Sequence, residues 1–198
     1  MMSSCTVSDN LADDDGAGIF IAPGREASIE GSSIFGQVAG GTGGGVYSDG
    51  VLSINRTTIE FNQSVWGGGV HSLRDLVLTE STIGFNTVLR WGGGFANEGL
   101  ASVTNSTISS NSAPEYGGNI ANMSAGNLEL LHATIADGVS PVGDAVHNDS
   151  SVIATNSIFL GSCAGFGLES IGGNVESPGN GCNLTRVRDR KNVPISKL

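Results

Sequence analysis

Val65–Val70 reads VWGGGV, Arg90–Phe95 reads RWGGGF and Glu115–Ile120 reads EYGGNI. An aromatic residue, two or three glycines and an apolar residue recur, with Trp66, Trp91 and Tyr116 each 25 residues apart. The same period runs outward through the chain. A hydroxyl residue followed by an apolar one returns as Thr6-Val7, Ser33-Ile34, Thr58-Ile59, Thr82-Ile83, Thr107-Ile108, Thr134-Ile135 and Ser157-Ile158, at spacings of 23 to 27. A second apolar column follows the glycines: Ile19, Val46, Val70, Phe95, Ile120 and Val146. A third lies at Ile29, Ile54, Leu78, Val103, Leu130 and Ile153. Three apolar columns per period describe a coil of three short strands, each sending one or two side chains inward.

Composition narrows the choice. With 31 Gly and 14% charged residues among 198, the chain has too little Ala, Leu, Glu and Lys for a helical solenoid. It lacks the Gly-X-Y period of collagen and the repeated leucines of a leucine-rich repeat. What remains is all-β: a single-stranded right-handed parallel β-helix (β-solenoid) of about seven coils of ~25 residues, three short strands per coil. At a strand spacing of about 4.8 Å this makes a rod of about 34 Å. The coils occupy residues 1–161, and residues 162–198 form a closing loop and basic tail. Corners fall where small polar residues stack. One reads Asn10, Gln37, Asn62, Asn86, Asn111, Gly138 and Gly161, types that accept left-handed backbone and can bond coil to coil. Another reads Ser48, Ser72, Asn97, Asn122 and Asn148.

The net charge is −10, and up to Thr185 the chain holds 4 basic against 18 acidic residues. Five basic residues (Arg186, Arg188, Arg190, Lys191, Lys197) crowd the last 13 positions. An acidic body repels phosphate backbones, which excludes nucleic acid as a partner. No apolar run is long enough to span a membrane, and MMSSCTVSDN (Met1–Asn10) lacks the pattern of a signal peptide.

GGGVYSDGVLSINRTTIEFN (Gly43–Asn62) and GGGFANEGLASVTNSTISSN (Gly92–Asn111) resemble repeats of bacterial extracellular parallel β-helix proteins of the pectate-lyase-like superfamily. They are similar above all to large surface proteins of the polymorphic outer-membrane-protein type. The resemblance covers Thr6 to Gly161, and GGNVESPGNGCNLT (Gly172–Thr185) resembles the segment that closes such helices. It implies an extracellular or cell-surface setting, with this chain a fragment of an exported protein. It implies little about activity, because the superfamily holds lyases, hydrolases, adhesins and secreted passengers. Cys163 and Cys182 bracket the closing loop, where a disulfide would pin the tail over the last coil. Cys5 is left over and reads as a small buried residue of an end coil.

Candidate chemistry gathers beside the glycines. Trp66, Trp91 and Tyr116 either stack on one another to cover a thin glycine wall or offer a strip to sugar rings. Tyr47, His71 and His147 lie on the outward side of the second column, with Arg74 and Asp75 a turn beyond His71. A His near a carboxylate is a candidate general base, which makes His71, Arg74, Asp75 and His147 the catalytic candidates. Asp13, Asp14 and Asp15 form a Ca²⁺ candidate or a solvated turn; no other cofactor is implied. Ice binding needs a flat second rank of threonines, and the positions two residues on are too mixed to supply one. The gaps between columns leave no length for cleft walls. The expectation is therefore a non-catalytic binding or structural module contacting polysaccharide or cell-surface glycan. A polysaccharide lyase, glycoside hydrolase or other hydrolase with a shallow site is the alternative. Bare strand edges at the ends of the stack predict end-to-end self-association.

Overall fold

In the computed structural model, which describes residues 1–179, 181–194 and 196, the chain winds into a stack of parallel coils of about six turns. Four parallel sheets run along the stack, with eight, eight, four and seven strands. In the third level the chain passes from sheet 1 (Val51–Asn55) to sheet 2 (Thr58–Glu60), sheet 3 (Gln63–Trp66) and sheet 4 (Val70–Ser72). It then turns back to sheet 1 at Leu76–Thr79. Each strand pairs in parallel with its equivalent one level away, so Leu52 lies beside Leu76, Ile59 beside Ile83 and Val70 beside Phe95.

Two counts differ from the sequence reading. From Thr6–Ser8 to Ile158–Leu160 the chain completes about six turns where the sequence reading has about seven coils, and Val175–Ser177 adds an eighth strand to sheet 2. The coil also has a fourth strand. The gap of 11 or 12 residues between the first and second columns holds the short strands of sheet 3, which pair at Leu11–Ala12, Val38–Ala39, Gln63–Trp66 and Thr87–Trp91. After Gly161 the strands Cys163–Gly165, Glu169–Gly172 and Val175–Ser177 extend sheets 4, 1 and 2 before the chain closes. Lys197 lies outside the described residues.

The core is the set of columns. Leu52, Ile54, Ile59 and Val70 of one level are wholly buried, as are Leu78, Ile83 and Phe95 of the next. Each contributes about 1.5–3 kcal/mol by leaving water. The last level slips by one residue: Ile158 pairs with Thr134, so Phe159 rather than Ile158 enters the core. Likewise Ala154, not Ile153, lies beside Leu130. A shift of one residue exchanges the two faces of a strand, and here the smaller Ala154 takes the core place.

Three hydrogen-bonded ladders hold the corners. The buried amides of Gln37, Asn62, Asn86 and Asn111 bond in series, each accepting the backbone N–H of the preceding level, as in Asn62 N to Asn86 Oδ1 at 2.9 Å. They do not take the left-handed backbone expected of them. The residue before each does: Asp9, Gly36, Phe61, Phe85, Ser110 and Asp137 have φ between 52° and 70°. Where the column reaches Gly138, Asn119 swings in from the next corner and accepts from Asn111 Nδ2 at 3.0 Å. A Cβ at Gly138 would lie 2.7 Å from the Asn119 Nδ2. The second amide ladder runs Asn97, Asn122, Asn148 at 2.8 and 2.9 Å. The third is made of hydroxyls: Ser32, Thr57, Ser81 and Ser106 each accept an N–H from the level before, at 3.1–3.2 Å. Its sequence signal is the doubled hydroxyl of Ser32-Ser33, Thr57-Thr58, Ser81-Thr82 and Ser106-Thr107, whose first member faces in and second faces out. Cys163 and Cys182 are joined by a disulfide, and Cys5 is exposed rather than buried, since the coil of which it forms the edge covers it on one side alone.

Candidate functional site

Sheet 4 alternates inward and outward residues, and its outward rank reads Phe20, Tyr47, His71, Ala96, Ala121, His147. The glycines entering sheet 4 adopt positive φ at Gly43, Gly67, Gly92, Gly117 and Gly143. A Cβ at Gly67 would lie 2.5 Å from the Val70 carbonyl oxygen and 2.8 Å from the His71 Cβ, so this corner admits glycine alone. The residue just before each glycine run is thereby folded over the outward rank. That position holds Asp15, Thr42, Trp66, Trp91, Tyr116 and Val142, and at the first, second, fourth and fifth of these levels it is complementary in size to the outward rank. Small residues, Asp15 and Thr42, accompany the rings of Phe20 and Tyr47. Large rings, Trp91 and Tyr116, accompany Ala96 and Ala121, with which they pack.

The result is a belt of rings on the outside of the glycine wall. Trp66 and Trp91 stack at 4.5 Å and 11°, Trp91 and Tyr116 at 6.2 Å and 8°, and Tyr116 meets His147 at 4.5 Å. Phe20 and Tyr47 form a second stack at 5.0 Å. His71 joins the two, edge-on to Tyr47, Trp66 and Trp91. Both faces of Trp91 are occupied by neighbouring rings and it is buried. The Arg90 guanidinium lies 5.9 Å from the Trp66 ring centre while its Nε donates to Glu115 at 3.0 Å. That contact holds Arg90 above its ordinary pKa.

His71 is buried and fully engaged. Its Nδ1 is 2.8 Å from Thr42 Oγ1 and its Nε2 is 3.0 Å from Glu98 Oε1. Thr42 in turn donates its N–H and its hydroxyl to Asp15 Oδ1 at 2.7 and 3.0 Å. One network therefore ties four successive levels. The hydrogen bond from His71 holds Glu98 below the usual carboxylate range, against the opposing effect of its own burial. Burial, followed by the charges of Asp15, Asp49 and Glu98, pushes the Tyr47 hydroxyl up.

A hydroxyl, an imidazole and a carboxylate in series have the order of a nucleophile, its base and an orienting acid. The remaining parts of such a site are opposed by what surrounds it. Asp15 stands 3.0 Å from the Thr42 oxygen, where donors for a developing oxyanion would be needed, and three rings close over His71. Arg74 and Asp75 are not brought to His71. Arg74 Nε bonds Asp49 at 3.1 Å, and both residues line a shallow depression of about 380 Å³ with Arg25 and Glu26. His147 pairs with Asp149 at 3.1 Å. Asp13 and Asp14 are exposed and Asp15 is committed to Thr42. Among the described residues no group of three His, Cys, Asp or Glu side chains is placed to hold a metal ion. No helix among them is long and apolar enough to cross a membrane.

The sequence reading missed Thr42 and Glu98. Thr42 is a non-aromatic residue in the ring column, which marks where the belt gives way to a polar tie. Glu98 follows the corner at Asn97 as Asp49 follows Ser48 and Asp149 follows Asn148, and it reaches His71 of the preceding level whereas Asp149 pairs with His147 of its own. Fold and site together define a parallel β-solenoid with a covered aromatic belt on one side. Comparison with protein-family models, curated proteins and solved structures returned no match.

Proposed function

We propose that this chain is a non-catalytic binding and structural module of a secreted or surface-displayed bacterial β-helix protein, presenting a rigid lateral face to glycans or cell surfaces. The observation that carries this reading is the commitment of the acid, base and hydroxyl groups at the centre of the belt. His71 has both ring nitrogens bonded, Thr42 is held by Asp15, and the rings stack on each other. A surface so organised in advance loses little freedom on binding, and at its centre the His71 imidazole and the Thr42 hydroxyl are already engaged. Glycan contact then falls on ring edges and on the Tyr47 and Tyr116 hydroxyls rather than on ring faces. The disulfide suits an oxidising, extracellular setting.

A second reading, a carbohydrate-active enzyme or other hydrolase, is favoured by the series Thr42, His71, Glu98. One screen of acidic and neutral polysaccharides separates the two. Tryptophan emission and product release are recorded together. A shift in Trp66 and Trp91 emission without products supports the module. Products that vanish in His71→Ala overturn it in favour of the enzyme, and silence in both channels removes glycans as the partner.

A further inference from the structure

The outward side of sheet 1 holds two depressions, of about 370 and 380 Å³, that meet at Asp75 and form one groove along the stack. Its lining includes aliphatic side chains and no aromatic ring. Val51, Val77 and Leu100 are 45%, 47% and 58% exposed there. The lining alternates in kind from level to level. Glu26 lies beside Val51, and Asp75 and Leu100 follow at the equivalent positions of the next two levels. Glu129, Ile153 and Glu169 continue the row one outward position further along the strands. Carboxylates thus occupy every second level, with aliphatic residues on the levels between. Ile153 completes the pattern because the register slip that turns Ala154 inward turns Ile153 out. Among the described residues Glu26, Asp75, Glu129 and Glu169 make no ion pair. Arg74 is held by Asp49, and Arg25 stands at one end of the groove.

We propose that this groove receives a basic amphipathic helix of another protein. Charge selects a cationic partner, since four carboxylates without an ion pair are opposed by Arg25 alone and the aliphatic residues between them take apolar side chains. Spacing selects a helix. Levels lie about 4.8 Å apart and a helical turn rises about 5.4 Å, so successive turns of a helix laid along the stack meet successive levels. The difference of about 0.6 Å per level is absorbed by the long stems of Lys and Arg. An extended segment shows one face only every ~6.7 Å and falls out of step within two levels. The matching helix face carries Lys or Arg at i, i+7 and i+14, with aliphatic residues at i+3 or i+4 and at i+10 or i+11. This contact is separate from the belt on sheet 4 and does not depend on glycan binding there.

The probe is a labelled synthetic peptide of about 22 residues with Lys at every seventh position, Leu at the third and fourth positions after each Lys, and Ala or Gln elsewhere. Its fluorescence anisotropy with the whole chain reads the groove whether or not chains also stack end to end. The expected result is saturable binding that weakens as salt rises, with the peptide gaining helix by circular dichroism. D75N/E129Q removes two carboxylates, and Leu100→Ser removes an aliphatic contact without changing charge. Each should weaken binding by about tenfold or more while the chain keeps its native circular dichroism. A peptide of the same composition in shuffled order should also bind at least about tenfold more weakly. Equal binding of the shuffled peptide reduces the contact to bulk charge and overturns the proposal. It is likewise overturned by no binding, by binding without helix, or by binding that survives both variants. A glucosamine oligomer that binds more tightly than the peptide, and loses affinity in the same variants, assigns the groove to a cationic glycan instead.

Discussion

Asn86 shows how much one side chain does in this fold. Its Oδ1 accepts from both the backbone N and the Nδ2 of Asn62 at 2.9 Å. Its Nδ2 donates to the Ile59 carbonyl at 3.1 Å and to Asn111 Oδ1 at 3.0 Å. Asn86→Ala strands buried groups on both neighbouring levels, and each orphan costs about 1–3 kcal/mol. The expected loss is at least about 3 kcal/mol in urea unfolding, well above that of an exposed Asn such as Asn105. His71 also has partners on both sides, and it gives a pH dependence. Glu98 sits below its ordinary value of 4.5 because of the His71 hydrogen bond. A carboxylate lowered in the folded state adds stability that is complete above its unfolded pKa and is lost as pH falls through the folded value. Tm should therefore drop as pH falls below about 4.5, and Glu98→Gln should flatten that drop. Equal slopes in the two proteins would remove this role for Glu98.

At the scale of elements, the glycine wall and the closing segment set the limits of tolerance. A Cβ at Gly94 would lie 2.6 Å from the Asn111 Nδ2 and 2.8 Å from the Asn119 carbonyl oxygen. Gly94→Ala must displace the amide ladder from the wall, at an expected cost of about 1–3 kcal/mol or more, read as a lowered Tm. The closing segment is held by the disulfide, by buried Leu184 and Val193, and by Asp189. Asp189 loses hydration by burial, yet bonds from the Ser170 hydroxyl and the Arg186 and Asn174 N–H groups more than compensate and lower its pKa. C163S/C182S releases a loop of 19 residues, an expected loss of about 3 kcal/mol. Proteolysis should then begin between residues 183 and 192, mapped by mass spectrometry. Cuts starting in the coils would show that the closing segment is not the weak point.

For the whole molecule, contacts join a level chiefly to its immediate neighbours, so stability is nearly a sum along the stack. Net charge acts on that sum as a uniform strain. Raising salt from low to physiological strength should increase Tm by a few degrees, whereas an unchanged Tm would mean that the carboxylates are already balanced locally. The 25-residue period, the three apolar columns and the glycine corner were all legible in the chain, because each level repeats its neighbour and a strand's faces alternate strictly. Tertiary structure alone decided what happens where the levels depart from one another. The first hydroxyl of each pair turns inward, the left-handed residue is one earlier than the amide, and the last level slips by one residue at Ile158. His71 finds Thr42 and Glu98, 29 and 27 residues away, only because small residues in the ring column leave a gap on one side and a corner brings a carboxylate to the other. Periodicity dictates which side of the wall a residue occupies. Close packing between unlike neighbours dictates what it touches there.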